Sequence, residues 1–265
     1  MGLKVIVAGK GGVGKTTVAS TLSFFLSSRG KRVLAVDTDS VPNLAFSLGL
    51  PEDVRGRIVP LVKDEELIEE RTGARPGESW GLYFRLNPRV EDLVERYGIR
   101  VDENISLLVV GSIDSAKQGC LCPAIALGKA MLSHLLMEED DAVVVDAEAG
   151  AEVFGRGLAE RFDHMFCVTE PTLKSLEIAR RLAEMGRSLG IAEVSYIVNK
   201  FSGDHRDVER IRERLGGRCF FIPYDESLLR AEVEGRSLRD LIGSSKAISS
   251  LMEAFDSIFG GDPHA

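Results

Sequence analysis

Much that would place a protein at sight is missing from these 265 residues. No stretch approaches the roughly 18 consecutive apolar residues of a membrane-spanning helix, so no span is expected. The N-terminus runs straight into an apolar run at Leu3, so no signal peptide is expected. Cysteine occurs four times, in no disulfide framework, so a reducing cytoplasm is the expected setting. Positive charge is in deficit. The 33 Lys and Arg stand against 41 Asp and Glu, a net −8 that disfavours non-specific nucleic-acid binding. Tryptophan occurs once, as Trp80, and neither an internal repeat nor a low-complexity tract is found. What remains is a 44% hydrophobic fraction and a mean hydropathy near zero, which suit a globule with a full core.

The stretch that organises the chain is Gly9-Lys10-Gly11-Gly12-Val13-Gly14-Lys15-Thr16-Thr17. It follows an apolar run, Leu3 to Ala8, that reads as a buried strand. It opens into Val18 to Leu26, a helix-compatible run ending near Gly30. Strand, glycine-rich turn and helix form the context in which G-x-x-x-x-G-K-[ST] binds phosphate. Backbone N–H groups of Gly11, Gly12, Val13 and Gly14 can converge on phosphate oxygens, and the helix N-terminus adds its positive dipole end. Lys15 can reach the β- and γ-phosphates, Thr16 can ligate Mg²⁺, and Thr17 can touch a nearer phosphate. Lys10 is a second lysine that the bare motif does not require.

Lys31 to Val36 reads as a second strand, ending at Asp37-Thr38-Asp39. Carboxylates at the end of a parallel strand lie on the ligand side of such a sheet. Asp39 can orient the attacking water and Asp37 can hold Mg²⁺ through its hydration shell, or either can cap the helix after Pro42. Residues 51–104 carry no nucleotide motif. Helix-leaning segments, Asp53 to Glu70 and Val90 to Tyr97, flank a loop-like Arg71 to Pro88, which reads as a partner-facing insertion or as a passive excursion of the chain. Ile105 to Val110 reads as a third strand. It leads to Gly119-Cys120-Leu121-Cys122-Pro123, where a C-x-C pair can grip one metal ion and a disulfide would be badly strained. Two ligands leave a tetrahedral ion half served, but two copies of the loop on a two-fold axis supply four thiolates. Two packing cysteines in a turn are the plain alternative.

Further strands are expected at Ala142 to Val145, Phe162 to Glu170, Val194 to Val198 and Cys219 to Ile222, with helices at Ala124 to Met137 and after Pro171. Cys167 and Cys219 read as core thiols. The last helix repeats Ile248, Leu251, Met252, Phe255, Ile258 and Phe259 at helical spacing, with Lys246 against Glu253 and Asp256. A membrane-surface helix wants a cationic polar face, so this one is expected to pack on the sheet. Alternation of strands and helices, with motifs at strand ends, gives an α/β fold. We expect one doubly wound domain over residues 1–265, with a mainly parallel sheet and helices on both faces.

The lysine-bearing loop resembles the deviant Walker A of the MinD, ParA and nitrogenase iron protein family of P-loop ATPases. That resemblance implies an ATP-dependent homodimer in which Lys10 reaches the partner's nucleotide, as an arginine finger does elsewhere. It makes Lys10, Lys15 and Asp39 catalytic and Asp37-Thr38-Asp39 switch I. Asp146 falls at the Walker B position beside Mg²⁺, and Glu148 and Gly150 fall in switch II. It also sets Asn199 and Pro223 against the base. Ser202 stands where a guanine reader needs a carboxylate, so adenine is favoured. Together with Gly119 to Pro123, Asp146 to Gly150 and Leu86 to Leu93, these motifs resemble the CooC-type ATPases, which help insert nickel into carbon monoxide dehydrogenase. The resemblance implies Ni²⁺ or Zn²⁺ on Cys120 and Cys122 at the subunit interface and that enzyme as client, while the net negative charge and the weakly cationic last helix lead us to expect no nucleic-acid or membrane partner. A positioning ATPase of the MinD or ParA type and a redox ATPase with a bridging iron–sulfur cluster are the rivals.

Overall fold

The computed structural model describes residues 2–39, 41–76, 83–112, 122–137, 142–147 and 159–261. Strands β1 (Leu3–Gly9), β2 (Val33–Asp37), β3 (Ile99–Arg100), β4 (Ile105–Val109), β5 (Ala142–Asp146), β6 (His164–Thr169), β7 (Glu193–Phe201) and β8 (Cys219–Pro223) form one sheet. Their order is β3-β4-β2-β5-β1-β6-β7-β8, and every pairing is parallel except that of β3 on β4. The chain builds outward from β1 on one side through β5, β2 and β4, and on the other through β6, β7 and β8. The C-terminal end of β1 is therefore the point where strand order reverses, which is where such sheets bind ligands.

The strands read as continuous apolar runs because both faces are covered. Side chains alternate between two cores: Ile6, Ala8, Val36 and Val145 enter one, while Val5, Val7, Ala35 and Val144 enter the other. Helices α1 (Lys15–Ser28), α2 (Asn43–Ser47), α3 (Glu52–Arg55), α4 (Glu65–Thr72), α5 (Leu93–Tyr97), α6 (Cys122–Met137), α7 (Leu173–Ser188), α8 (His205–Leu215), α9 (Glu226–Glu234) and α10 (Lys246–Phe259), with 3₁₀ turns at Leu61–Lys63 and Leu238–Leu241, complete the described elements. Helices α6 and α7 cover the first core through Leu127, Met131, Leu176 and Ala179. Helices α1 and α10 cover the second through Val18, Leu22, Ile248 and Phe255. Helix α1 is so deeply set that Ser20, Thr21 and Ser23 are buried. Each satisfies its hydroxyl on the carbonyl four residues back, at 2.7 to 2.8 Å.

Helix α10 packs as expected. Ser245 caps it, and Phe255 meets Phe166 edge-on with ring centroids 5.5 Å apart. Its apolar stripe is spent inside the protein, and among the described residues no helix is long and apolar enough to cross a membrane.

Three expectations need correction. The segment Asp53 to Glu70 is not one helix: Gly56 and Pro60 divide it into α3, a 3₁₀ turn at Leu61–Lys63, and α4, which runs on to Thr72. Strand β7 does not stop at Val198 but continues through Asn199 and Lys200 to Phe201. Cys219 is half-buried rather than core, with its thiol donating to the Gly217 carbonyl at 3.3 Å. Cys167 is fully buried, and burial pushes its thiol up to about 12.

His164, at the start of β6, gives a pH prediction. It is 4% exposed, lies against Phe166 and Phe259, and burial aided by Arg218 pushes it down to about 4. A histidine depressed in the fold contributes stability above the ordinary value of about 6.5, lost as pH falls from there to about 4. Relative to a His164→Gln variant, the protein should lose up to about 3 kcal/mol across that window, measurable by urea unfolding at each pH.

Candidate nucleotide site

Gly9 ends β1 under a steric constraint. A Cβ there would lie 2.3 Å from the carbonyl oxygen of Val168 on β6, so only glycine lets the chain leave the sheet at this point. Five residues on, Gly14 adopts φ 100° and serves as N-cap of α1 without any side-chain cap. The first N–H groups of α1 are therefore not consumed by a capping side chain. Val13 is buried between them and pins the loop to the core.

The two lysines of this loop occupy opposite environments. Lys15 is 7% exposed and close enough to Asp146 to oppose the rise that burial imposes on its pKa. Lys10 is exposed and makes no hydrogen bond or ion pair among the described residues. Thr16 and Thr17 are half-buried, and their carbonyls accept from Ser20 and Thr21.

Asp37 and Asp146 end neighbouring strands and are register partners across β2 and β5, both fully buried. Thr38 ties the two strand ends together, its N–H and hydroxyl both donating to the Asp146 carbonyl at 3.1 and 3.0 Å. Asp37 accepts from the N–H of Asp39 at 2.9 Å and from that of Leu44 at 3.0 Å. It thus fixes the turn after β2 and also caps α2, the plain role weighed for it. Burial, with Asp146 beside it, raises its pKa to about 8. Burial, with Asp39 nearby, raises Asp146 to about 7, against the opposing pull of the Thr16 hydroxyl and Lys15. Neither carboxylate oxygen of Asp146 makes a hydrogen bond of good geometry. Two buried acids, one with neither oxygen in a well-formed hydrogen bond beside a phosphate loop, are a donor set that fits Mg²⁺. Asp39, half-buried, lies near enough to Asp146 to push its pKa up.

On the other flank, Asn199 and Lys200 come to the loop from β7. The Asn199 amide donates to the Val13 carbonyl at 2.8 Å, and the Lys200 ammonium donates to the Gly12 carbonyl at 2.8 Å. Lys200 also pairs with Glu170 at 2.6 Å. Sequence reasoning missed Lys200, Glu170 and Thr38. Only the position of Lys200 beside Asn199 hinted at it. Pro223 ends β8, half-buried, and Tyr224 after it is exposed.

Cys122 is exposed and opens α6. Helix α6 joins two parallel strands, β4 and β5, so its first turn lies at the end of the sheet that bears the phosphate loop. Cys120, Glu148 and Gly150 lie outside the described residues, among which no group of three or more His, Cys, Asp or Glu is placed to hold a metal.

A phosphate loop at the strand-order reversal of a doubly wound sheet, flanked by paired carboxylates, defines a P-loop nucleoside triphosphatase. Residues 4–238 match the model of the CobQ/CobB/MinD/ParA nucleotide binding domain, and the chain belongs to that family, as an ATPase of the MinD/ParA type. An uncharacterized ATP-binding protein of Methanocaldococcus jannaschii is 40% identical over 259 residues, 97% of each chain. The carbon monoxide dehydrogenase accessory protein CooC of Rhodospirillum rubrum is 39% identical over 245 residues, 90% of each. Among solved structures, the septum site-determining protein MinD of Pyrococcus horikoshii, complexed with Mg-ADP, superposes with a TM-score of 0.68. It covers 98% of both chains at 22% identity, a likeness of fold.

Proposed function

We propose that this protein is a cytoplasmic ATP-driven metallochaperone that assists nickel insertion into carbon monoxide dehydrogenase. The observation that carries the reading is the 39% identity to CooC across nine-tenths of both chains, joined to the C-x-C pair in this sequence. The exposure of Cys122 at the nucleotide-bearing end of the sheet supports it. ATP closes a homodimer, Cys120 and Cys122 of each subunit offer four thiolates to one Ni²⁺ or Zn²⁺, and hydrolysis reopens the pair. Residues 51–104 form a partner-facing insertion of one nucleotide-binding domain.

Hydrolysis is in-line attack of water on the γ-phosphorus, with Asp39 orienting the water and Lys15 and the partner's Lys10 taking up charge on the phosphoryl oxygens. Thr16, Asp37 and Asp146 would hold Mg²⁺, which neutralises charge on the β- and γ-phosphates when bound. Glu148 and Gly150 serve as switch II, where a glycine permits backbone movement towards the γ-phosphate. Asn199 and Pro223 line the base, and Ser202 in place of a carboxylate favours adenine.

Anaerobic metal analysis with and without ATP tests the reading. About one Ni or Zn per dimer supports it. Visible absorbance from iron and sulfide would instead mark a redox ATPase, and no metal in either state would leave a positioning ATPase. The double variant Cys120→Ala, Cys122→Ala should lose the metal and keep ATP affinity within about threefold, because neither cysteine belongs to the phosphate loop. Equal loss of metal and ATP would make the cysteines structural.

A further inference from the structure

We propose that Lys200 is a positioning residue for the phosphate loop, itself aimed by Glu170. Lys200 has φ 55°, the one positive φ at a non-glycine position among the described residues. It sits where the pairing of β7 with β8 slips between Val198 and Phe201. A residue with a Cβ is disfavoured in that conformation and persists where its surroundings over-determine it. Irregularities of this kind re-aim a side chain beside a site.

Here the aim is at the loop. The Lys200 ammonium takes the Gly12 carbonyl while the adjacent Asn199 amide takes that of Val13, each at 2.8 Å. In a planar trans peptide the carbonyl and the following N–H point in opposite directions. Drawing the Gly12 and Val13 carbonyls towards β7 therefore turns the N–H groups of Val13 and Gly14 away from it, onto the side where phosphate oxygens are received. Glu170 is fixed in turn: its N–H donates to the Ser175 hydroxyl at 3.1 Å, and Thr172 caps α7 beside it. Side-chain exposures of 43% for Lys200 and 31% for Glu170 make their pairing a poor source of fold stability, which leaves aim as its effect.

The test uses the full chain, with ATP and ADP affinities from calorimetry and melting of the nucleotide-free protein. Lys200→Gly relieves the left-handed strain and removes the ammonium. It should melt no lower than the wild type and bind both nucleotides about tenfold more weakly, the scale of one charge-assisted hydrogen bond. The loss should be equal for ATP and ADP, because the loop N–H groups cradle the phosphates that both carry. Glu170→Gln should weaken binding about threefold in the wild type and not at all on the Lys200→Gly background, since it acts through that lysine. Unchanged affinity in Lys200→Gly would overturn the proposal. So would a fall in melting temperature that accounts for the weaker binding, or an additive effect of Glu170→Gln.

Discussion

Lys10→Ala should bind Mg-ATP as the wild type does, remain monomeric when ATP is added, and hydrolyse it roughly 10³- to 10⁵-fold more slowly, the range for a finger residue supplied in trans. The expectation rests on the contrast between two lysines of one loop. Lys15 is enclosed and acts on Asp146 from within, whereas Lys10 stands in solvent without a hydrogen bond or ion pair among the described residues. A long, flexible cation left unanchored at the lip of a phosphate loop is available to a nucleotide held by another subunit. Light scattering with and without ATP, beside a nucleotide titration, separates the outcomes. ATP-dependent dimers of the variant would remove the trans role, and a matching loss of ATP affinity would show Lys10 serving its own site.

Asp146→Asn should trade stability against activity. The wild-type carboxyl is buried, its two oxygens lack well-formed hydrogen bonds, and its pKa is raised from 3.8 to about 7. An acid raised in this way binds its proton more tightly in the fold. Its contribution is complete below about pH 4 and is lost as pH rises through about 7. At pH 8 the nucleotide-free variant should therefore be more stable than the wild type by on the order of 4 kcal/mol, an advantage that mostly disappears by pH 4. Hydrolysis in the presence of Mg²⁺ should fall at least 100-fold, as for loss of a pre-arranged charged group at a phosphoryl-transfer site. Calorimetric melting at several pH values and a steady-state ATPase assay provide both readings. A variant that melts below the wild type at pH 8 would refute the stored destabilisation, whatever its activity.

The phosphate loop and the strand-end acids were legible in the sequence for a local reason. A loop of that composition between an apolar run and a helix has one common use. Unbroken β-branched runs such as Val143 to Val145 are apolar on both faces only when both are covered. The role of the last helix was legible from its charge: with Lys246 outnumbered by Glu253 and Asp256, its apolar stripe had only the core to enter. The fragmentation of Asp53 to Glu70 was obscured because acidic helix formers hide the breaks at Gly56 and Pro60. Strand β3, two residues long, carries no periodicity at all. The position of Lys200 against the loop was illegible for a deeper reason. Its left-handed backbone falls at the slip of β7 on β8, and the carbonyl it reaches lies 188 positions away in the chain. Neither sequence spacing nor propensity encodes a contact of that kind.

Strand β3 has a bearing on solubility. A sheet that ended at β4 would present a raw rim of unpaired N–H and C=O groups, a template for fibrous self-association. Instead two antiparallel residues close part of it, Ile99 against Leu107 and Arg100 against Ser106, and the outer one is an exposed arginine. So short and charged a border blunts the growth of a ribbon from molecule to molecule, leaving copies of this protein to meet at other surfaces.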